Sequence, residues 1–236
     1  MSASGGVFIT GTDTGVGKTF VAAALLRALA ARGARVAGMK PIAAGIDAGE
    51  ASNADVAALA AADGLPLPLR DRNPYGFVPA IAPHLAAEEA GVSIDIDVIV
   101  ASLARLRTHA DFIVVEGAGG VLVPLDRDHD MLDLAAALDL PVLLVVGLRL
   151  GCINHALLSA QAIAARGLPL AGWIANAPGP SMLREQANID TIAAYLGQPP
   201  LATMRHESSA STLSAALDSV ASTLLSCWRD DRKLTS

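Results

Sequence analysis

Short, nearly continuous apolar runs alternate along this chain with longer stretches rich in alanine and leucine. Such short apolar runs are typical of parallel strands buried on both faces, and they predict strands over residues 7–10, 35–39, 112–115, 142–147 and 170–175. The Ala/Leu-rich stretches predict helices over residues 18–32, 53–63, 94–109, 154–166, 183–196 and 212–228. The alternation indicates an α/β fold of three layers, a doubly wound and mostly parallel sheet with helices on both faces.

One stretch interrupts the alternation. Residues 65–83 (LPLPLRDRNPYGFVPAIAP) carry prolines that break regular elements. The chain shows no repeat, low-complexity tract or linker, and 236 residues fit one large domain. We therefore expect an ordered excursion within a single domain of residues 1–236.

Composition and charge narrow the class of protein. With 53% hydrophobic residues and a net charge of −6, the chain is expected to fold, and its acidic balance argues against coating nucleic acid. The longest apolar run, residues 140–148, is shorter than the ~18 residues of a membrane span. No basic leader precedes the first strand, and two cysteines make no disulfide framework. We expect a cytoplasmic protein.

Residues 11–19 (GTDTGVGKT) carry the strongest chemical signal. They follow a predicted strand and open a predicted helix, which is the context of a phosphate-binding loop. In such a loop Lys18 reaches the β- and γ-phosphates, and the Thr19 hydroxyl contacts Mg²⁺. The standard motif has four residues between its glycines, whereas Gly11 and Gly17 enclose five. A glycine-rich turn that only caps a helix is the structural alternative.

Further polar residues follow the other predicted strands. Ligands of open α/β sheets bind at the carboxyl ends of strands, where Lys40, Glu116 and Asn176 stand. Glu116 suits a second Mg²⁺ contact, although a carboxylate ending a strand is often only solvated. From the residues alone, Lys40 is either an electrostatic stabiliser or a solvated strand end. Asp55 is either a metal ligand or a helix-start carboxylate favoured by the dipole.

The sequence LRLGCINH, residues 148–155, follows the fourth predicted strand and starts a helix. Backbone N–H groups of Gly151 and Cys152 could face an anion, and Asn154 is a natural N-cap. Cys152 has no His/Asn pair that would mark it as a nucleophile, so a packed thiol is the simpler interpretation.

Six motifs together resemble those of the dethiobiotin synthetases. Besides the lengthened phosphate loop, the chain carries in order MKPIAAG, NPYGF followed by APHLAA, VEGAGGVLVPL, LRLGCINHALL and GWIAN. The resemblance spans about residues 5–180 and implies a homodimeric ligase of phosphate-loop NTPase fold. That ligase closes a ring by forming C–N bonds, converting 7,8-diaminononanoate, CO₂ and ATP into dethiobiotin, ADP and phosphate with Mg²⁺ in biotin biosynthesis.

The resemblance also implies roles for individual residues. For catalysis it implies Lys18 on the phosphates, Lys40 between carbamate and γ-phosphate, and Thr14 facing the carbamate. The nucleotide-binding positions are Gly15, Val16, Gly17, Lys18, Thr19, Phe20, Asp55, Glu116, Gly117, Ala118, Gly119 and the adenine-reading Asn176. The metal set is Thr19, Asp55 and Glu116. The substrate-binding positions are Thr14 and Lys40, with Gly151, Cys152 and Asn154 holding the carboxylate tail across the dimer interface.

The chain departs from the family pattern in three places. Gly15 stands where many members carry Glu, which removes one charge beside the phosphates. Ala44 stands where a Ser or Thr hydroxyl is usual, so that one substrate hydrogen bond is missing. Arg205 stands at or near a proline of the family's adenine segment.

Two other classes compete with this interpretation. Partitioning and septum-placing ATPases share such a loop but place a lysine early in it, where this chain has Asp13, and they need a basic DNA face or a membrane tail. Amide-forming ligases of the cobyrinate type carry a glutaminase domain, for which 236 residues leave no room. We expect small-molecule partners and neither nucleic acid nor membrane.

Overall fold

The computed structural model describes residues 5–205 and 210–234. Six of the strands form one sheet in the order β2-β5-β1-β6-β7-β8, and each strand is parallel to its neighbours. These strands are β1 (Gly5–Gly11), β2 (Val36–Met39), β5 (Phe112–Gly120), β6 (Val142–Gly147), β7 (Leu170–Ala177) and β8 (Ala202–Arg205). The two remaining strands, β3 (Ile42–Ala44) and β4 (Tyr75–Phe77), pair in parallel as a small separate sheet.

Helices cover both faces of the large sheet. In chain order they are α1 (Lys18–Ala31), α2 (Ala54–Asp63), α3 (Leu69–Arg72), α4 (Pro83–Ala90), α5 (Ile96–Arg107), α6 (Met131–Ala137), α7 (Cys152–Ala165), α8 (Glu185–Leu196) and α9 (Ala210–Leu234). Helices α1, α2 and α9 pack on one face, and α5 to α8 pack on the other. The predicted three-layer α/β fold is confirmed.

The central strands are buried because they are sandwiched between these helical layers. Every residue of β6 is buried, and the consecutive side chains Leu143 and Leu144 enter the two different cores. A strand covered on both faces needs apolar residues at consecutive positions, which explains the continuous apolar runs in the sequence. All the strand ends that carry Lys40, Asn176 and the phosphate loop therefore meet at one edge of the sheet.

Several predicted boundaries differ from the observed ones. Glu116 was expected after the third predicted strand, but β5 continues through it to Gly120, where the pairing with β1 shifts. The proline-rich stretch was expected to lack regular elements, yet it contains α3 and β4. Helix α4 even begins with Pro83, because proline is tolerated in the first turn, where its missing N–H has no helical partner.

Within the described ranges, no helix is both long enough and apolar enough to cross a membrane.

Candidate active site

The phosphate loop connects β1 to α1 and is held from below. Val16 is buried, and its carbonyl oxygen accepts a hydrogen bond of 2.7 Å from Nδ2 of Asn176 on β7. Gly17 has a φ of 88°, and a Cβ there would lie 2.2 Å from the same Nδ2 atom. A side chain would therefore be both strained and in collision, so this turn requires glycine. The loop is anchored to the sheet at its tip.

Lys18 begins α1 and turns back over the loop. Its side chain is buried, and Nζ donates to the carbonyl oxygen of Asp13 over 2.9 Å. Burial, together with the positive charge of Lys40, lowers the pKa of Lys18 to about 8. An ammonium that is short of counter-charge attracts an anion such as a phosphate.

A second buried cation lies beside the first. Nζ of Lys40 is 2.6 Å from Oε1 of Glu116 and 2.9 Å from Oδ2 of Asp55. Burial lowers the pKa of Lys40, but the two carboxylates raise it more strongly, so that the net pKa lies above its ordinary value. Lys40 is therefore a protonated, buried ammonium, and the solvated strand end is excluded.

Thr19, Asp55 and Glu116 converge around this ammonium, as their assignment to one site requires. The Thr19 hydroxyl donates to Oε1 of Glu116 over 2.8 Å. Asp55 stands in the first turn of α2, whose N-cap is Asn53. Burial raises the pKa of Asp55, but Lys40 outweighs this effect and the net pKa is lowered. Asp55 is thus both a helix-start carboxylate and a member of the site.

Above these charges lies an open cleft of about 790 Å³. Most of the predicted loop and strand-end residues line it, namely Thr14, Gly15, Gly17, Lys18, Thr19, Phe20, Lys40, Asp55, Glu116, Ala118 and Gly119. Three predicted residues do not line it, namely Val16, Gly117 and Asn176. Gly117 packs against Phe8, since a Cβ there would lie 3.0 Å from the Phe8 ring.

One wall of the cleft was only partly predictable from the sequence. This wall is apolar and comes largely from the proline-rich stretch and β3, with Ile42, Ala43, Ala44, Ala80, Ile81, Ala82 and Pro83. A sequence of prolines and aliphatic residues without a charged neighbour gives little indication that it will form the wall of a binding site. Two of the motifs contain parts of this wall: MKPIAAG includes Ile42, Ala43 and Ala44, and APHLAA includes Ala82 and Pro83. Only Ala80 and Ile81 lie outside every motif.

The expected tail-binding residues lie elsewhere. Gly151, Cys152 and Asn154 open α7 and do not line the cleft. The N-cap of α7 is Gly151, with a φ of 96°, so the expectation of Asn154 as N-cap is wrong. The helix starts earlier because a glycine can adopt this left-handed conformation. Cys152 is fully buried, as a packed thiol, whereas Gly151 and Asn154 are exposed.

An ion pair that sequence reasoning missed connects the two regions. Arg149, just before α7, pairs with Asp13 of the phosphate loop. The Asp13 carboxylate also accepts the Thr14 N–H over 2.7 Å. The Thr14 N–H and Arg149 together lower the pKa of Asp13, although burial opposes them. At the far end of the sheet, Arg205 on β8 pairs with Glu185 and donates to Oγ of Ser181 over 2.8 Å.

The fold and the loop define a nucleotide-binding protein of the phosphate-loop class. A family model described as an AAA domain matches residues 5–212. Among solved structures, the septum site-determining protein MinD from Pyrococcus horikoshii, complexed with Mg-ADP, has a TM-score of 0.56 at 19% identity over 93% of this chain and 95% of its own. The MinC:MinD complex of Aquifex aeolicus has a TM-score of 0.57 at 15% identity, over 94% of this chain and 96% of the matched one. These likenesses show the fold alone.

Sequence relatives identify the family. The ATP-dependent dethiobiotin synthetase BioD of Nitrosospira multiformis is 50% identical over 215 residues, which are 90% of this chain and 94% of the relative. The protein of the same name from Ralstonia nicotianae is 52% identical over 199 residues, 84% of this chain and 87% of the relative. The chain belongs to the dethiobiotin synthetase family and is an ATP-dependent ligase that forms C–N bonds.

Proposed function

We propose that this chain converts 7,8-diaminononanoate, CO₂ and ATP into dethiobiotin, ADP and phosphate. The observation that carries the proposal is the pair of buried ammonium groups, Lys18 and Lys40, at the floor of one cleft in a chain of this family. Two negatively charged groups, a carbamate and a triphosphate, have to approach each other in this reaction. Fixed ammonium groups at the place where the two meet lower the repulsion between them.

The bond changes follow from the substrates. One amine of the diamine captures CO₂ as a carbamate and releases a proton. A carbamate oxygen attacks the γ-phosphorus of ATP, and the bond to the ADP oxygen breaks. The second amine attacks the resulting carbonyl carbon, closes the five-membered ureido ring and expels phosphate. No side chain has to form a covalent intermediate, so positioning and charge neutralisation account for the rate.

We assign to Lys40 the role of stabilising the phosphoryl group during its transfer. Its raised pKa keeps the ammonium charged throughout the physiological range, and its burial strengthens the electrostatic effect. Lys18 is assigned to the β- and γ-phosphates, with the backbone N–H groups of residues 15–20 around them. Thr14, exposed on the loop and lining the cleft, is assigned to the carbamate.

The acidic side of the site fits Mg²⁺. Oε2 of Glu116 is buried without a hydrogen-bond partner, and Asp55 and the Thr19 hydroxyl supply further oxygen ligands beside it. Hard oxygen donors in this number, with room for water, are what Mg²⁺ prefers. When bound, the ion would neutralise charge on the β- and γ-phosphates.

Asn176 is assigned to adenine. Its Nδ2 already holds the phosphate loop, whereas its Oδ1 is buried without a partner. An unsatisfied amide oxygen is costly, and the 6-amino group of adenine could satisfy it. Backbone groups of Gly117, Ala118 and Gly119 are assigned to nucleotide or substrate, and Ala118 and Gly119 line the cleft.

We assign the substrate's carboxylate tail to a second copy of the chain. Gly151 and Asn154 are exposed but lie outside the cleft of their own chain. Leu150, directly before Gly151, is 92% exposed, and Leu183, in the segment before α8, is 86% exposed; both are costly in water. A homodimer that covers these leucines would bring the start of α7 to the partner's cleft. The proposal treats residues 1–236 as one catalytic domain in each subunit, and its ATP dependence suits the cytoplasmic location expected from the sequence.

Mass spectrometry of a complete reaction tests the proposal. The protein is incubated with ATP, Mg²⁺, bicarbonate and the diamine, and the omission of the diamine serves as the control. We expect dethiobiotin with one ADP formed per product, and little ADP without the diamine. ATP turnover that is indifferent to the diamine, with no dethiobiotin, would contradict the proposal and favour a nucleotide switch.

A further inference from the structure

The outer edge of β2, the strand that leads to Lys40, is paired by residues at the ends of α2 and α3 instead of another strand. The Gly38 N–H donates to Oδ2 of Asp63 over 2.7 Å, and Nη1 of Arg72 donates to the Gly38 carbonyl oxygen over 3.0 Å. The Lys40 N–H donates to the Arg72 carbonyl oxygen over 2.9 Å. Nδ2 of Asn73 donates to the Lys40 carbonyl oxygen over 2.8 Å. These contacts satisfy both backbone groups of Gly38 and of Lys40.

This substitute for a strand is itself buried and fixed. Arg72 is 3% exposed and Asn73 is 8% exposed. The Arg72 guanidinium is paired with the fully buried Asp63 carboxylate, with one contact of 2.8 Å between Nη2 and Oδ1, and it also donates to the Leu65 carbonyl oxygen over 2.7 Å. A buried ion pair with this many hydrogen bonds holds its neighbours in one arrangement.

Asn73 contacts the chain on both sides of the turn after Lys40. Besides the Lys40 carbonyl, its Nδ2 donates to the Tyr75 carbonyl oxygen over 3.0 Å, and it lies 3.5 Å from the Pro41 carbonyl oxygen. Gly76 packs against the other side of this amide, since a Cβ there would lie 2.8 Å from Oδ1 of Asn73. The amide therefore fills a closed space between β2 and β4.

We propose that Asn73, supported by the Arg72–Asp63 pair, is the positioning residue that aims Lys40 at the transferring phosphoryl group. This inference rests on the role that the proposed function gives to Lys40. A lysine side chain is long, with four rotatable bonds. A small shift of its Cα therefore displaces the ammonium at its end. The hydrogen bonds to the backbone of Gly38 and Lys40 prevent such a shift. This matters because small misplacements of a reacting group have large effects on rate.

The variant Asn73→Ala removes the amide and leaves Lys40 unchanged. We expect kcat to fall by about tenfold to a hundredfold, while KM for ATP stays within about twofold, because Lys18 and the loop are untouched. Asn73→Ser is the milder companion if the alanine variant does not fold, because its short hydroxyl cannot span the same carbonyls. Ser159→Ala is the structural control: Ser159 is a buried polar residue of α7, a helix that packs on β6, β7 and α8 and not on the segment that contacts β2.

Three comparisons decide the outcome. A merely structural Asn73 would lower Tm as Ser159→Ala does and leave kcat unchanged, which would overturn the inference. Gly76→Ala approaches the same amide from outside and should lower kcat in the same direction by a smaller factor. Lys40→Met is measured alongside: if it retains kcat, the role of Lys40 in the proposed function fails; if it loses kcat while folded Asn73 variants keep theirs, only the positioning role fails.

Discussion

The two ends of the proposed substrate site are built in opposite ways. At the phosphate end, Lys18, Lys40 and Glu116 are each less than a tenth exposed and are held by hydrogen bonds within one chain. At the tail end, Gly151 and Asn154 are exposed, and nearby Leu150 is almost fully in solvent. One chain thus completes the chemistry that all phosphate-loop proteins share. The part that selects a particular substrate is the part that the proposed function assigns to a second chain.

The largest expected effect breaks the phosphate end. Lys40→Ala should retain ATP binding but lose turnover, because the Lys40 charge is assigned to the phosphoryl group during transfer. The loss of one such preorganised group typically lowers kcat by about 10²–10³-fold. Single-turnover kinetics measures the loss of turnover, and calorimetry measures ATP binding separately. An unchanged kcat would remove Lys40 from the mechanism.

The second-largest effect is expected for a substitution at the proposed dimer contact near the tail end. Leu150→Asp adds a charge to the exposed leucine beside the start of α7, and we expect it to dissociate the dimer at micromolar concentrations. Diamine turnover should then fall by about 10²-fold, while ATP binding to each chain persists. Light scattering gives the mass. The matched control is Val98→Asp, on an exposed position of α5 (42% exposed), which should leave the mass unchanged. A Leu150→Asp protein that stays dimeric and active would contradict this assignment.

A smaller effect is expected for a substitution inside the proposed tail pocket. Asn154→Ala should raise KM for the diamine by about tenfold, as expected for one lost hydrogen bond to a charged group, and leave ATP affinity unchanged. Steady-state kinetics with each substrate varied in turn measures both. A fall in ATP affinity instead would show that Asn154 does not belong to the tail pocket.

The smallest effect is a pH dependence at the phosphate end. Because the pKa of Lys18 lies at about 8 in the nucleotide-free site and triphosphate raises it, ATP binding takes up a proton above that pH. ATP affinity should therefore fall as pH rises above about 8, by at most about tenfold per pH unit. Lys18→Arg, which stays charged, should give a flat profile between pH 7 and about 9.5. A flat profile in the unaltered protein would contradict the lowered pKa.

The phosphate end was predictable because its signals are local in sequence. The central strands are continuous apolar runs, and the glycine-rich loop follows the first of them directly. β8 was missed because it is a four-residue edge strand in which buried and exposed residues alternate. α6 was missed because it has only seven residues, and α4 because Pro83 looked like a breaker.

The support of Lys40 could not be predicted in the same way. Asp63, Arg72 and Asn73 lie between 23 and 33 residues from Lys40 along the chain, in a stretch whose prolines mask its packing. Their importance comes from reaching the free edge of β2, and only the folded chain brings them there. The motif NPYGF marked the segment by resemblance but assigned Asn73 no task.

Subunit complementation tests the central claim, that two chains build one site, most directly. Lys40→Ala and Asn154→Asp chains carrying different tags are co-produced, and the mixed dimer is purified. If the tail pocket comes from the partner, one of the two sites in the mixed dimer is intact, and it should recover about half of the unaltered kcat, whereas each parent dimer stays nearly inactive. If both groups act within one chain, every site carries a lesion, and the absence of recovery would contradict the account.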